Sequence, residues 1–289
     1  MPIFEVIILA VVQGLAELLP VSSSAHVIIA EKLMGLNPTA PEMTLLLVML
    51  HTGTMFAVIA YFWKQWKQSY FVSADAFKHV LVRLIWATAL TGIVGLGLKK
   101  LIELTFFKGA PKMQIEELFG RLDLIAPALA AVGILILVAG LLEKRLATLQ
   151  RKCSGGSVTM IQAGCIGLIQ GICLPFRGFS RSGATISTGL LTGATKERAE
   201  RFSFALAVIL TPPVVIREVW RLAKFAQEAP VNLHGSVLMC LLGAVFAFLA
   251  GLLALRWLSA WLEQGRWYLF GIYCMIASGV VCYLHSVGY

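Results

Sequence analysis

Charged residues are scarce in this sequence. They make up 13% of its 289 residues, whereas a soluble globular domain has about 25%. Acidic residues are the rarer kind, with 15 Asp and Glu against 24 Lys and Arg. The Lys and Arg residues fall in short connectors between apolar runs, where such residues orient a membrane protein and meet anionic lipid headgroups. This pattern excludes an ordinary soluble domain and gives no signal for nucleic-acid binding.

Several common motifs are also absent. None of the six cysteines forms a C-x-x-C pair, and five lie in apolar stretches. We therefore expect small membrane-buried side chains and not disulfides or metal ligands. The N-terminal segment has no basic n-region and no A-x-A site, which predicts the start of the membrane domain and not a cleaved signal peptide. No glycine-rich nucleotide loop occurs between a strand and a helix, so no organic cofactor is expected.

Long apolar runs dominate what is present. Six of them are long enough to cross a bilayer, given that a spanning helix needs about 20 residues. Trp and Tyr cluster at the ends of several runs, which is typical of an aromatic belt. The sequence therefore predicts an all-α polytopic membrane protein. The six runs lie near residues 43–63, 83–101, 122–142, 201–217, 234–256 and 267–287.

Two further apolar segments are interrupted in the middle. Residues 1–36 are broken at Pro20 and the serines that follow it, and residues 158–194 are broken at LPFRGFSRSG, residues 174–183. Irregular backbone at membrane depth is tolerated only where it is buried in protein or lines a wet cavity. Each segment is therefore predicted to be a re-entrant helix–loop–helix pair.

The two broken segments resemble each other. The Gln-Gly pair at Gln13 recurs at Gln170, and Ser23 falls opposite Ser180 at the same offset. Each half of the chain then contains one re-entrant pair followed by three spans. Because three is odd, the second half enters from the opposite face.

This arrangement predicts a single membrane domain, residues 1–289, with inverted-topology repeats at approximately 1–150 and 158–289. The two broken loops are expected to meet near the middle of the bilayer.

The connectors at 64–83, 143–157, 195–201 and 256–266 share one side and hold more Lys and Arg than the other side. Both termini are accordingly predicted to be external, which is periplasmic in a cell with two membranes. The 102–121 connector is expected to form an amphipathic interfacial segment.

The first broken segment concentrates polar side chains. A carboxylate inside the membrane indicates a functional site by default, and Glu17 lies four residues after Gln13, on the same helix face. Pro20 is expected to end that helix, after which Ser22 or Ser23 caps the next one. His26 follows Ser23 by three residues, so both side chains project to the same side.

The second broken segment supplies a fixed cation. Arg181 has a guanidinium fork that suits phosphate oxygens, and Thr185 lies one helical turn later on the same face. Two helix N-termini together with Arg181 would form an anion site, for which a phosphate is the natural ligand. Candidate phosphate-binding residues in both loops are Gln13, Ser22, Ser24, Arg177, Ser180, Ser182 and Thr185.

Simpler interpretations remain open for each motif alone. The serine run could be only a helix cap, and a single intramembrane His is more often a hydrogen-bonded structural residue than a catalyst. Arg181 could pair with Glu17 as a buried structural ion pair. The combination of both clusters in two related loops favours a functional site.

At this level of detail the sequence resembles the undecaprenyl-diphosphatase family, the bacitracin-resistance membrane phosphatases. That family has an (E/Q)xxxE motif running into P-V-S-S-x-x-H, and a second motif PGxSRSxxT. Here the first motif is QGLAELLPVSSSAH, from Gln13 to His26, and the second is RGFSRSGAT, from Arg177 to Thr185. Arg177 departs from the family, which usually has proline there, and leaves the substrate preference open.

The resemblance implies that the protein hydrolyses undecaprenyl diphosphate to undecaprenyl phosphate in the bacterial cytoplasmic membrane. On this hypothesis Ser23 is the nucleophile, His26 handles its proton or that of water, and Arg181 stabilises the transferring phosphoryl group. Glu17 orients His26 or holds a divalent cation, Mg²⁺ or Ca²⁺. A less favoured version makes His26 the nucleophile.

A transporter is the main alternative. Broken helices in inverted repeats are also the architecture of secondary transporters, so the same polar cluster could bind and flip a lipid phosphate without cleaving it. The spacing of Ser23 and His26 favours chemistry, because a carrier needs neither a nucleophile nor a base. A polyprenyl diphosphate and the surrounding lipids are the expected partners, and no oligomeric state is predicted.

Overall fold

The protein is all-helical in the residues that the computed structural model describes, which are 2–36, 41–106, 121–150, 157–228 and 233–288. Within these ranges ten helices form and no strand occurs. Six of the helices are long and apolar enough to cross a membrane, which confirms the predicted all-α polytopic membrane protein. The helices are α1 (Ile3–Leu18), α2 (Ser23–Leu33), α3 (Pro41–Ser69), α4 (Ala74–Phe106), α5 (Leu122–Gln150), α6 (Met160–Cys173), α7 (Arg181–Leu191), α8 (Lys196–Glu228), α9 (Leu233–Glu263) and α10 (Trp267–Ser286).

All six predicted spans fall on long helices, but the helices extend past the apolar runs. The predicted connector at 64–83 is mostly helical, because α3 continues to Ser69 and α4 begins at Ala74. Polar residues such as Lys and Gln at the membrane surface keep their backbone hydrogen bonds within the helix, so hydropathy alone sets the ends too early. The apolar segments run over Leu45–Ser69, Ala74–Thr105, Leu122–Leu142, Lys196–Arg217, Leu238–Glu263 and Trp267–Ser286. Most of the predicted interfacial segment at 102–121 lies outside the described residues.

Both interrupted segments form the predicted pairs of short helices. The first is α1 followed by α2, and α1 ends at Leu18 immediately before the Leu19-Pro20 step. The second is α6 followed by α7, separated by residues 174–180. None of these four helices is long enough for a comfortable span. Their re-entrant placement in the bilayer stays a prediction.

The chain divides into two compact parts. The first comprises residues 1–19, 23–62 and 207–259. In its core, buried apolar side chains of α1, α2, α3 and α9 meet, among them Leu9, Val27, Leu50 and Ala247. Helix α1 approaches α9 at Gly14, where a Cβ would lie 2.6 Å from the Cβ of Ala250. Small residues permit this close approach, as is usual between membrane helices.

The second part comprises residues 20–22, 63–206 and 260–289. Helices α5 and α10 meet at Gly133 and Gly271, and the Ser278 hydroxyl donates to the carbonyl of Ala126 at 2.7 Å. Helices α4 and α6 meet at Gly171, where a Cβ would lie 2.7 Å from the Cβ of Val94. The contact with α4 thus packs the first helix of the second broken segment closely against a long helix.

The helix order repeats along the chain, since two short helices are followed by three long ones in each half. The matched glycines behave alike: Gly14 contacts α9, the fourth helix of the second half, and Gly171 contacts α4, the fourth helix of the first half. The inversion of the two halves and their boundaries stay predictions, and the two compact parts do not follow those boundaries.

The cysteines that the structure describes are not paired with one another. Cys165, Cys173, Cys240, Cys274 and Cys282 are free thiols, and three of them are buried. Cys153 lies outside the described residues. The buried thiols are those of Cys173, Cys240 and Cys274, while Cys165 is half-buried and Cys282 is exposed on α10.

Candidate active site

The first broken segment turns sharply between α1 and α2. Helix α1 closes with the amide of Leu19 bonded to the carbonyl of Leu15, and α2 begins at Ser23. Between them Ser22 has φ 69°, in the left-handed region. A non-glycine residue in this region is strained, and such strain is often found at functional sites. Ser22 is also buried, so the surrounding protein holds this conformation.

This turn places Ser23 against Glu17. The Ser23 hydroxyl donates a hydrogen bond of 2.6 Å to Glu17 Oε2, and Gln13 Nε2 donates to the same oxygen at 3.1 Å. A hydroxyl has a single hydrogen, so in this geometry Glu17 is the group placed to take the Ser23 proton. The predicted sharing of one face by Gln13 and Glu17 is confirmed.

Two other predicted residues lie on the first two turns of α2. Ser24 and His26 are both half-buried, and His26 is three residues after Ser23 on a confirmed helix. The two side chains of Ser23 and His26 therefore share one side of α2. The role of His26 in proton transfer stays a prediction.

Sequence reasoning missed His51, which reaches the same carboxylate from α3. Its Nε2 lies 3.6 Å from Glu17 Oε2, and its Nδ1 lies 2.7 Å from the carbonyl oxygen of Leu47. A carbonyl only accepts, so Nδ1 carries the hydrogen of that bond. His51 stands in a long apolar run with no motif around it, and only the packing of α3 on α1 reveals it.

The second broken segment is shaped around Gly178. This residue has φ 96°, and a Cβ on it would lie 2.5 Å from the carbonyl oxygen of Ile125. Both the backbone conformation and the close approach require glycine. Helix α7 then begins at Arg181, with the Ser180 hydroxyl accepting from the amide of Gly183 at 3.3 Å. Ser180 is thus the N-cap of the helix that carries Arg181.

The remaining predicted residues of this segment differ in exposure. Ser182 and Thr185 are buried, and the hydroxyl of Thr185 donates to the carbonyl of Arg181 at 2.7 Å. Its oxygen also lies 2.6 Å from that of Ser203 on α8. Arg177 is exposed. The phosphate-binding roles of these side chains stay predictions, while their geometry shows that Ser180 and Thr185 brace the start of α7.

The turn of the first segment touches the second within one compact part. A Cβ built on Gly183 would lie 3.2 Å from the Cβ of Pro20, and the Cys274 thiol donates to the Pro20 carbonyl at 3.3 Å. Pro20 and the first turn of α7 are therefore neighbours. The convergence of Ser23 and Glu17 with Arg181 stays a prediction.

The side chains of the candidate site could hold a divalent cation only if the substrate supplied most of the ligands. Among the described residues no group of three or more His, Cys, Asp or Glu side chains could hold a metal ion. Glu17, in the last turn of α1, is the candidate carboxylate of the first broken segment, and its Oε2 already accepts from Ser23 and Gln13. Mg²⁺ is commonly held by one or two carboxylates together with substrate phosphates, and this set of residues fits that mode.

Comparison with known proteins gives consistent matches over almost the full length. A profile of the family described as "Bacitracin resistance protein BacA" matches residues 6–281. The chain is 56% identical over 285 residues to Undecaprenyl-diphosphatase 2 of Acinetobacter baylyi, covering 97% of each chain. It is 34% identical over 293 residues to Undecaprenyl-diphosphatase 2 of Burkholderia orbicola, covering 98% of this chain and 96% of the relative. A similarly named Undecaprenyl-diphosphatase 1 of Burkholderia pseudomallei is 33% identical, with the same coverage.

Proposed function

Because the chain belongs to the BacA family of bacitracin resistance proteins, we propose that it hydrolyses undecaprenyl diphosphate to undecaprenyl phosphate and inorganic phosphate. The observation that carries this proposal is the 2.6 Å hydrogen bond from Ser23 to Glu17 at a break between two helices. A nucleophile paired with a base is what phosphoryl transfer through an enzyme-bound intermediate requires. The lipid-flipping alternative has no such requirement, and the named relatives are phosphatases.

In the first step, Ser23 Oγ attacks the terminal phosphorus. The bond between that phosphorus and the bridging oxygen breaks, and undecaprenyl phosphate leaves with the electron pair. Glu17 Oε2 takes the Ser23 proton, since it already accepts that hydrogen at 2.6 Å. The products of this step are the lipid monophosphate and a phosphorylated Ser23.

In the second step, water attacks the phosphorus of phosphorylated Ser23. His26, which lies on the same face of α2 as Ser23, takes up one proton of the water. Glu17 returns its proton to the Ser23 Oγ as that oxygen leaves the phosphorus. Inorganic phosphate is released and the serine is regenerated. This assignment gives Glu17 the proton of Ser23 and keeps His26 for the water.

The second broken segment supplies the positive charge. Arg181 lies in the first turn of α7, where the helix dipole and its guanidinium both favour an anion. Ser180 and Thr185 hold this turn in place through bonds to the backbone of Gly183 and Arg181. Charge that develops on the transferring phosphoryl group would be stabilised there.

Mg²⁺ or Ca²⁺ is part of the proposal. Glu17 would hold the cation together with diphosphate oxygens, and the cation would neutralise part of the substrate charge. The protein itself contributes the carboxylate, the position of Ser23 and the turn that keeps the two together.

The proposed setting is the bacterial cytoplasmic membrane, with both termini on the external side. The substrate tail would remain in lipid while its headgroup meets polar residues of the broken segments. The product, undecaprenyl phosphate, would return to cell-wall polymer synthesis as the lipid carrier, and its recycling would confer resistance to bacitracin.

Phosphate release from a C55 or C15 prenyl diphosphate by purified protein in detergent tests the proposal. Wild type should release inorganic phosphate, and EDTA should reduce the rate. Ser23→Ala and Arg181→Ala should lower it by at least 100-fold, since each removes a group that acts on the reacting phosphorus.

Ser286→Ala is a suitable matched control, because Ser286 lies at the exposed end of α10, where its hydroxyl donates to the Tyr283 carbonyl. It should match wild type. Near-full activity of Ser23→Ala would contradict the serine-nucleophile mechanism. Binding of the lipid without any phosphate release by folded wild type would contradict the phosphatase proposal and favour the flippase.

A further inference from the structure

Two arginines lie beside a buried tyrosine in the second compact part. Tyr70 directly follows α3, while Arg83 and Arg201 lie near the starts of α4 and α8. Burial raises the pKa of the Tyr70 phenol, whereas the positive charges of Arg201 and Arg83 lower it. Both guanidinium groups are therefore close to the same side chain, although they come from different helices.

Hydrogen bonds join the elements that carry this cluster. Trp66 Nε1 donates to the Arg201 carbonyl at 3.3 Å, which ties the end of α3 to α8. Arg83 Nη1 donates to the hydroxyl of Ser157, which ties α4 to the segment just before α6. Trp66 and Tyr70 are both buried and lie one helical turn apart. The cluster is thus built into the packing of the helices.

The positive charge of the cluster exceeds what its neighbours neutralise. Glu197 pairs with Arg201, with 3.6 Å between Oε2 and Nη2, but its side chain is 74% exposed, and surface pairs of this kind contribute little. Arg83 has Ser157 and Tyr70 as neighbours in the described part of the chain, and both are neutral groups. The cluster therefore favours an anionic ligand.

The hydroxyl of Tyr70 is available to such a ligand. Tyr70 is only 5% exposed, and within the described residues its hydroxyl forms no hydrogen bond. A buried tyrosine hydroxyl usually has a hydrogen-bond partner. A phosphate oxygen at this position would accept from the phenol and from the guanidinium groups of Arg83 and Arg201.

Exposed aromatic rings accompany the cluster. Trp63, Phe71 and Phe77 are all exposed, and we call them the aromatic face. Their ring centroids are 6.2 Å apart from Trp63 to Phe71 and 5.2 Å apart from Phe71 to Phe77. Phe71 directly follows Tyr70 in the chain. Aromatic side chains are enriched where lipid headgroups meet acyl chains, so these surroundings suit a lipid better than a free phosphate.

We propose that Arg83, Arg201 and Tyr70 form a binding site for the phosphate of an anionic phospholipid, whose acyl chains lie against the aromatic face. The headgroup would link the starts of α4 and α8 to the end of α3. Basic pockets between membrane helices bind anionic headgroups in this way. The lipid would be a stabilising ligand and not a substrate. The three residues belong to neither motif of the candidate active site, so the inference is separate from the proposed function.

Native mass spectrometry of the purified, delipidated protein in detergent measures binding at this site. One phosphatidylglycerol should bind at least 10-fold more tightly than phosphatidylcholine, which has no net charge. Arg83→Gln and Arg201→Gln should each raise the Kd for phosphatidylglycerol at least 10-fold, because each removes a charged hydrogen-bond donor. By mass action, phosphatidylglycerol should raise the thermal unfolding midpoint of wild type more than that of either variant.

Two control variants separate this site from general surface charge and from loss of a structural bond. Lys100→Gln removes one positive charge from an exposed position on α4, about 25 Å farther along the helix than Arg83. Ser157→Ala removes the hydrogen bond to Arg83 but keeps the guanidinium. Both should change the Kd less than twofold. Glycerol 3-phosphate, which carries the phosphate without acyl chains, should compete only at 100-fold or greater excess.

Four results would overturn the inference. Phosphatidylcholine could bind as tightly as phosphatidylglycerol, the arginine variants could bind phosphatidylglycerol as tightly as wild type, or a control variant could weaken binding as much as they do. Glycerol 3-phosphate could displace the lipid at equal concentration, which would indicate a site for a free phosphate. If Arg83→Gln does not fold, Arg201→Gln tests the same site from α8.

Discussion

The hydroxyl oxygens of Thr185 and Ser203 lie 2.6 Å apart, and both side chains are completely buried. Thr185 gives its own hydrogen to the Arg181 carbonyl at 2.7 Å, so Ser203 is the donor between the two hydroxyls. This chain of bonds links α8 to the helix turn that carries Arg181. It also shows why a threonine stands one turn after the arginine.

Thr185→Val should therefore destabilise the protein. The valine leaves the buried Ser203 hydroxyl without its acceptor, which costs about 1–3 kcal/mol and should lower the thermal unfolding midpoint by a few degrees. Thr185→Val combined with Ser203→Ala removes both partners and should recover part of the loss. Thermal unfolding of the purified protein in detergent measures both. A double variant less stable than either single one would contradict the pairing.

Gly183→Ala should lower activity more than stability. Its Cβ would lie 2.8 Å from Ile136 Cδ1 and 3.2 Å from the Cβ of Pro20. The isoleucine tip can move, but Pro20 belongs to the turn that precedes Ser23, so that turn shifts. We expect at least a 10-fold lower kcat for prenyl diphosphate hydrolysis.

The matched control for that substitution is Gly97→Ala on α4, where an added Cβ has nothing within 4 Å. It should keep wild-type kcat. Equal activity of Gly183→Ala and Gly97→Ala would show that the contact with Pro20 is not needed for catalysis.

Comparing Gly178→Ala with Gly193→Ala separates the stability cost of a left-handed backbone from the cost of a steric clash with a neighbouring residue. Both glycines have a positive φ, 96° and 85°, but only Gly178 has close neighbours, with the Ile125 carbonyl oxygen 2.5 Å from an added Cβ. Gly193→Ala should cost about 1–2 kcal/mol from the left-handed conformation alone. Gly178→Ala should lower the unfolding midpoint further and should also reduce phosphate release. Equal midpoints would mean that the Ile125 contact relaxes easily.

Divalent cations should bind tightly only when a diphosphate is present. Glu17, in the last turn of α1, is the candidate carboxylate, and among the described residues no group of three or more His, Cys, Asp or Glu side chains could hold a metal ion. The described residues therefore offer too few oxygens for a strong Mg²⁺ site of their own. Calorimetric titration of the protein with Mg²⁺ should show no saturation below millimolar concentration. A non-hydrolysable prenyl diphosphate analogue should lower the apparent Kd at least 10-fold in wild type, but not in Glu17→Ala.

Micromolar Mg²⁺ binding without the analogue would contradict this prediction and would indicate ligands beyond Glu17. Glu103→Ala serves as the control, because that carboxylate pairs with Lys99 on the exposed surface of α4 and should leave the titration unchanged.

Much of the fold follows from the sequence because hydrophobic length and helix breakers are local signals. The six spans and the interruption at Pro20 could both be predicted in this way. The helix ends could not, since the hydropathy signal stops at the membrane surface while the backbone hydrogen bonds continue, as at Ser69 and Ala74.

The site was predictable where its residues are close in sequence. Gln13 and Glu17 share a face because they are one turn apart, and Ser23 was a candidate because it follows the proline. The direct bond from Ser23 to Glu17 depends on the turn geometry, including the positive φ of Ser22. His51 was missed because its contact with Glu17 exists only after α3 packs on α1.

The left-handed conformation of Ser22 has a consequence for transplanting this site. An L-residue adopts that conformation only where the surrounding protein enforces it, and the Pro20 carbonyl next to it is held by Cys274, far along the chain. The stretch from Gln13 to His26 is therefore not expected to keep its structure when it is moved into another protein. Grafted onto another helical hairpin, it would relax at Ser22 and turn the serine away from the glutamate. A glycine or a D-amino acid at position 22 would be the first change to try in such a graft.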